Sequence, residues 1–161
     1  MFWQIFKKLN FKEFFGLLWL FLKNPVYAFP TIIATQRCMK IASKEYGSKH
    51  HLSNKANAFR HTLWVILIAK RCLKWRKNEA KATAWAKAFT DWHEDFSPNR
   101  PLERAMDLHN NKVGVFLFDE IKHKSEAEIV SILKQKASEA LKIESVEEVG
   151  NVESKLVYIA D

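Results

Sequence analysis

Between residues 55 and 75 the chain repeats apolar positions at a helical period, with a histidine on the apolar side. On a 100° wheel, KANAFRHTLWVILIAKRCLKW places Asn57, His61, Trp64, Val65, Ile68 and Cys72 on one stripe, with Arg60 to the side. The same spacing marks helices along the rest of the chain. MFWQIFKKL (1–9) carries Phe2, Ile5, Phe6 and Leu9 at helical intervals, and Asn10 with Glu13 has the form of a capping box. A second helix, FKEFFGLLWLFLK, is almost wholly apolar from Phe14 to Leu22 and stops at Asn24-Pro25. Pro30 suits the first turn of a third, TIIATQRCMKIASKEY, and Gly47 its end. The polar connector SKHHLSN follows, where His50 and His51 are expected at the surface.

After the helix of residues 55–75, Asn78 caps EAKATAWAKAFTDWHEDF, and SPNRP breaks the chain. Pro101 starts PLERAMDLHNNKVGVFLFDEIK, and Ser125 with Glu128 caps EAEIVSILKQKASEALK. The tail KLVYIA reads as a short strand or a last packed turn. The pattern predicts an all-α fold, a single domain of six to seven helices with at most one short C-terminal strand. Residues 1–48 form its aromatic, amphipathic N-terminal helices, and residues 49–161 the helical domain that carries the polar positions.

Composition sharpens this picture. With 161 residues the chain can close one sizeable core, and 48% apolar residues exclude a disordered chain. Four Gly and four Pro leave little punctuation for a many-stranded sheet. The net charge of +8 is uneven: no acid falls between Glu45 and Glu79, an interval holding Lys49, Lys55, Arg60, Lys70, Arg71, Lys74, Arg76 and Lys77. Aromatic segments interleaved with bases point to an anionic membrane surface as partner, with nucleic acid second. The apolar run of residues 14–22 is far short of the ~20 residues that span a bilayer. It lacks a small-x-small cleavage site, so it is read as retained, in a cytoplasmic protein peripheral to the inner membrane. Cys38 and Cys72, in apolar surroundings and outside any CxxC, read as buried reduced thiols.

The candidate chemistry comes from three consecutive helices that direct polar groups inward: Asn57 and His61, then His93, then Asp107 and Asn111. His93 continues the row Ala82, Ala86 and Phe89, with Glu94 one step off it. Asn110 flanks the row Asp107, Asn111, Gly114 and Phe118, while His109 points the opposite way. Such groups need one another, water, a metal or a ligand as partners. His61, His93 and Asp107 can hold zinc or a similar divalent ion with a position left for water, and Glu94 is then a candidate base. Without a metal, a histidine oriented by Asp107 can activate water directly. Asn57, Arg60, Trp64, Asn110 and Asn111 are the candidate substrate-binding residues. Gly114 costs about 1 kcal/mol against Ala within a helix, which a close helix approach would justify. GxSxG, P-loop and GxGxxG motifs are absent from the sequence.

NAFRHTLW, WHE and MDLHNNKVG together resemble an uncharacterised bacterial family, a domain of unknown function with the pattern NAxRHAxW, HE and MDLxNNxxGR. The matching positions are Asn57, Arg60, His61, Trp64, His93, Glu94, Asp107, Asn110, Asn111 and Gly114. The chain departs at Thr62 for the usual Ala, Val65 for a common Asn and Val115 for the usual Arg. The resemblance covers residues 49–161, and the N-terminal helices look like an extension of members from the Bacteroidetes group. Similar domains at the ends of larger toxin-like proteins imply hydrolysis. The resulting expectation is a membrane-surface hydrolase of a phospholipid or other ester or phosphoester. Two alternatives stand beside it: a non-enzymatic membrane or protein-interaction module with a purely structural polar cluster, and a nucleic-acid binder or nuclease using the Lys70–Lys77 bases.

Overall fold

Side-chain caps and short polar breaks set where the helices begin and end. The computed structural model describes residues 11–96 and 99–160, so the helix expected in residues 1–9 and the cap expected at Asn10 lie outside the described residues. Among these there are seven α-helices: α1 (Phe11–Lys23), α2 (Pro25–Tyr46), α3 (Lys55–Arg76), α4 (Glu79–Phe96), α5 (Pro101–Ile121), α6 (Glu126–Ser138) and α7 (Val146–Gly150). A 3-10 turn, Lys49–His51, precedes α3. Strands β1 (Leu141–Lys142) and β2 (Val157–Tyr158) form one small parallel pair. The fold is all-α, and the KLVYIA tail supplies β2.

Asn54 starts α3 by accepting from the backbone N–H groups of Ala56 and Asn57. Asn78 accepts from Lys81 at the start of α4, and Pro101 occupies the first turn of α5. Ser125 and Glu128 form the expected capping box of α6. Gly47 closes α2 with φ +59°, a backbone conformation that glycine adopts without a Cβ clash.

Three expectations need correction. Helix α2 begins at Pro25, not Pro30; Pro25 takes the N-terminal position that needs no N–H donor, and Pro30 is buried inside the helix. Helix α6 ends at Ser138 instead of running on through Lys142, because Leu141 N–H donates to Leu156 O (2.8 Å) and Ile143 N–H to Tyr158 O (2.9 Å). His50 is buried, its Nε2 3.1 Å from Ser43 Oγ, because the 3-10 turn folds the connector back over α2. His51 is exposed as expected.

Helix α3 is the axis of the molecule and packs against α2, α4, α5 and α6. It is apolar nearly all round, with Phe59, Leu63, Val65, Ile66, Ile68 and Ala69 shut off from solvent, as befits a helix wrapped by others. The core runs on into α1, where Leu17 is buried and Phe21 stacks on Phe89 with ring centroids 6.0 Å apart. Cys38 and Cys72 are buried free thiols in this core. Among the described residues no single helix is long and apolar enough to cross a membrane, and α1 and α2 bend by 119° where they meet.

The contact that positions α5 on α3 is unusually close. A Cβ on Gly114 would lie 2.9 Å from the Thr62 carbonyl oxygen and 3.2 Å from Val65 Cβ. Thr62 Oγ1 completes the contact by donating within α3 to Ala58 O (2.9 Å) and across to Asn110 O (3.2 Å). Gly114→Ala should therefore destabilise the protein by about 1–3 kcal/mol in urea unfolding, since the clash exceeds the helix-propensity gain. Equal or greater stability of that variant would show that the two backbones do not touch.

Candidate active site

Where the second turns of α3 and α5 meet the last turn of α4, three ionisable side chains converge in the interior. His61 comes from α3, Glu94 from α4 and Asp107 from α5; all three are buried, Glu94 to 1% exposure. One potential ligand atom from each lies within 4.8 Å of the others. His61 Nε2 is 3.2 Å from Asp107 Oδ1, and His61 Nδ1 is 3.4 Å from Glu94 Oε1. Asn111 Oδ1 also faces Nδ1, at 3.3 Å, and Arg60 Nη2 lies 2.5 Å from Nε2. Asn99 Nδ2 donates to Asp107 Oδ2 (3.1 Å).

These contacts assign the protons. A guanidinium can only donate, so Nε2 accepts from Arg60 and the imidazole proton sits on Nδ1, facing Glu94 and Asn111. Burial, reinforced by Arg60 and His93, holds His61 well below the ordinary histidine range, so the ring is neutral. Burial raises Glu94 to about 8, with Asp107 adding repulsion and Arg60 opposing it. Burial also raises Asp107, against the pull of Arg60. Two carboxylates beside one guanidinium thus retain a proton between them. A proton on Asp107 also relieves its contact with Nε2, where two acceptors otherwise meet.

Hydrogen bonding in this region is incomplete. Among the described residues neither Glu94 oxygen has a donor at good geometry, and Asn57 Oδ1 and Asn111 Nδ2 are likewise unpartnered. Each such buried group costs about 1–3 kcal/mol. A neutral imidazole, two carboxylates and unspent amide groups form a centre able to take up a proton, a cation or a polar substrate.

The sequence-derived set is only partly assembled. Glu94, not His93, is the third member of the close group. The buried row of α4 runs Ala82, Ala86, Thr90 and Glu94, whereas His93, one turn after the buried Phe89, is half-buried and lies outside the close group. His93 stands edge-on to Trp64, with centroids 5.1 Å apart, and burial followed by Arg60 lowers it to about 4. Trp64 donates from Nε1 to Thr35 Oγ1 (2.8 Å) and walls the site with its ring, 6.3 Å from that of His61. Asn57 lies buried one turn before His61, and Arg60 is half-buried at the edge of the cluster.

Asn110 is spent elsewhere, against the expectation that it binds substrate. Its amide donates to Val157 O (2.9 Å) and accepts from Val157 N–H (3.0 Å), clamping β2 onto α5. His109 points away from the site, as expected, but is buried against the tail with Nε2 donating to Lys155 O (2.8 Å). Asn99 escaped the sequence reading. The only signal for it was its place in the SPNRP turn, which reads there as a helix breaker.

A family described as a domain of unknown function (DUF6973) matches residues 18–141. The chain belongs to this family. The matched stretch starts inside α1 and takes in all of α2, upstream of residue 49, and it stops at β1. No curated protein and no solved structure matches the chain.

The raised carboxyl groups give stability a definite pH dependence. The folded state keeps a proton on Glu94 that the unfolded chain releases, so this contribution is complete below about 4.5 and is lost as pH rises through about 8. With chelator present, wild type should lose stability relative to Glu94→Gln steadily across that window, measured by urea unfolding. A difference that does not change with pH would contradict the shared proton.

Proposed function

We propose that the chain is a membrane-surface hydrolase of ester or phosphoester bonds, with His61 as its base. The supporting observation is the convergence of one neutral imidazole and two carboxyl groups, from three helices, beside the half-buried Arg60. Asn111 accepts the Nδ1 proton, with Glu94 Oε1 3.4 Å from the same nitrogen, and thereby leaves Nε2 as the basic nitrogen. Arg60 caps that nitrogen in the resting state and is the cation nearest the reacting position.

When an anionic substrate draws the guanidinium away, Nε2 is freed to take a proton from water. The water oxygen forms the new bond to carbon or phosphorus. Arg60 balances the developing negative charge, and the proton held on Nε2 passes to the departing alcohol oxygen. Trp64 and His93 wall the ring and limit solvent around it.

A divalent cation such as zinc fits the same donors, because imidazole nitrogen and carboxylate oxygens are its ordinary ligands. His61, Glu94 and Asp107 would hold it, and it would supply an acidified bound water. The unpaired oxygens of Glu94 are the observation that favours such a guest. A second reading, in which the polar residues only lock helices together, draws support from Asn110, whose amide nitrogen and oxygen both bond to Val157 and clamp β2.

Chromogenic carboxyl esters, phosphodiesters and phospholipid vesicles, each assayed with zinc, manganese or chelator, test the proposal. Hydrolysis in one class should fall by about 100-fold or more in His61→Ala, with helical circular dichroism retained. Glu94→Gln should reduce kcat more than it raises KM. Full activity in His61→Ala, or no hydrolysis by wild type in any class, would overturn the proposal.

A further inference from the structure

Among the described residues, the outward side of α1 joins no core. Leu18, Trp19 and Leu22 recur at the spacing of a single helix face, and Trp19 and Leu22 are 62% and 64% exposed. The opposite side of the helix is spent on packing, through Leu17 and Phe21. Lys23 ends the helix with Nζ 4.8 Å from the centre of the Trp19 ring. An exposed aromatic pair joins α2 to the C-terminal end of α3. There Phe29 and Trp75, 57% and 52% exposed, stand with ring centroids 5.8 Å apart. Trp75 is flanked by the exposed bases Lys74, Arg76 and Lys77. Phe15 is exposed on α1 as well, whereas Leu52, Phe116, Leu141 and Val146 sit on other elements.

Charge follows the same division. From Phe14 to Asn78, Glu45 is the only acidic residue against twelve basic ones, and Lys134 already pairs with it at 2.6 Å. From Asp119 onward acids outnumber bases. Tryptophan and leucine beside lysine and arginine match an anionic bilayer surface, where rings sit at headgroup depth and bases meet lipid phosphates. Nucleic acid fits less well, because the aliphatic side chains of Leu18 and Leu22 have no counterpart in stacked bases or phosphates. With 13 residues, α1 is about 20 Å long, too short to cross the ~30 Å hydrocarbon layer but suited to lying in its boundary.

We infer that the outward face of α1, aided by the Phe29–Trp75 pair and its flanking bases, docks the protein on anionic lipid bilayers. The inference deepens the membrane part of the proposed function and stands apart from its chemistry. Docking needs neither His61 nor a substrate, only hydrocarbon for Trp19 and Leu22 and phosphate for the bases.

Co-sedimentation of the full-length protein with phosphatidylcholine vesicles, with and without phosphatidylglycerol, tests it. Binding should require phosphatidylglycerol and weaken with added salt. It should drop at least tenfold in Trp19→Ser/Leu22→Ser, and also in Lys74→Glu/Lys77→Glu. These positions are exposed, and an unchanged melting temperature verifies that the variants fold. His61→Ala should bind as wild type does, which separates failure of docking from failure of the catalytic reading. Absence of binding at low salt would overturn the inference, as would binding indifferent to Trp19→Ser/Leu22→Ser. A dimer dissolved by those substitutions without vesicle binding would assign the face to a second copy. Retention on duplex DNA but not on vesicles would assign it to nucleic acid; either result overturns docking on lipid.

Discussion

Helix α5 lies so close to α3 that a single methyl group at position 114 would strike the Thr62 carbonyl. The arrangement of the candidate site rests on that contact. It brings Asn111 and Asp107, one and two turns before Gly114, against the turn of α3 that bears His61. Thr62 strengthens it with a hydrogen bond to Asn110 O, and Asn110 in turn clamps β2. A glycine that weakens an isolated helix thus sets both the site's geometry and the docking of the C-terminal segment.

Two kinds of buried polar group sit side by side on α5, and their energetics differ. Asn110 makes a hydrogen bond through each end of its amide, so neither its oxygen nor its nitrogen is buried without a partner. Asp107, with Glu94 and His61, is taken from water without full compensation, and the carboxyl groups respond by holding a proton. Packing around α3 supplies the stability that tolerates this arrangement. A group so costly to the fold is the kind a protein keeps for its chemistry.

Much of the helix pattern was legible because local chemistry determines it. Asn78, Pro101 and the Ser125–Glu128 box act within one turn of their own positions, and they begin the helices expected of them. Gly114 likewise announced a close approach. Features that depend on distant segments were hidden. The end of α6 was misplaced because Leu141 finds its partner in Leu156, and His50 was misjudged because the connector folds onto α2. At the site, periodicity placed His61, Asp107 and Asn111 correctly but could not choose between His93 and Glu94. The two rows of α4 share Ala82 and Ala86 and part at Phe89 and Thr90, both of them buried, so tertiary packing decides which of His93 and Glu94 joins the close group.

The central claim is that the His61, Glu94 and Asp107 cluster burdens the fold and is retained for what it binds or catalyses. The direct measurement is the unfolding free energy at pH 8 of a triple variant, His61→Leu, Glu94→Met and Asp107→Leu. Replacing a buried ionic group with apolar residues of similar volume is often neutral or stabilising by about 1–4 kcal/mol. This account predicts a change of that sign. Loss of several kcal/mol, by contrast, would show that the cluster is a structural clasp and would contradict the account.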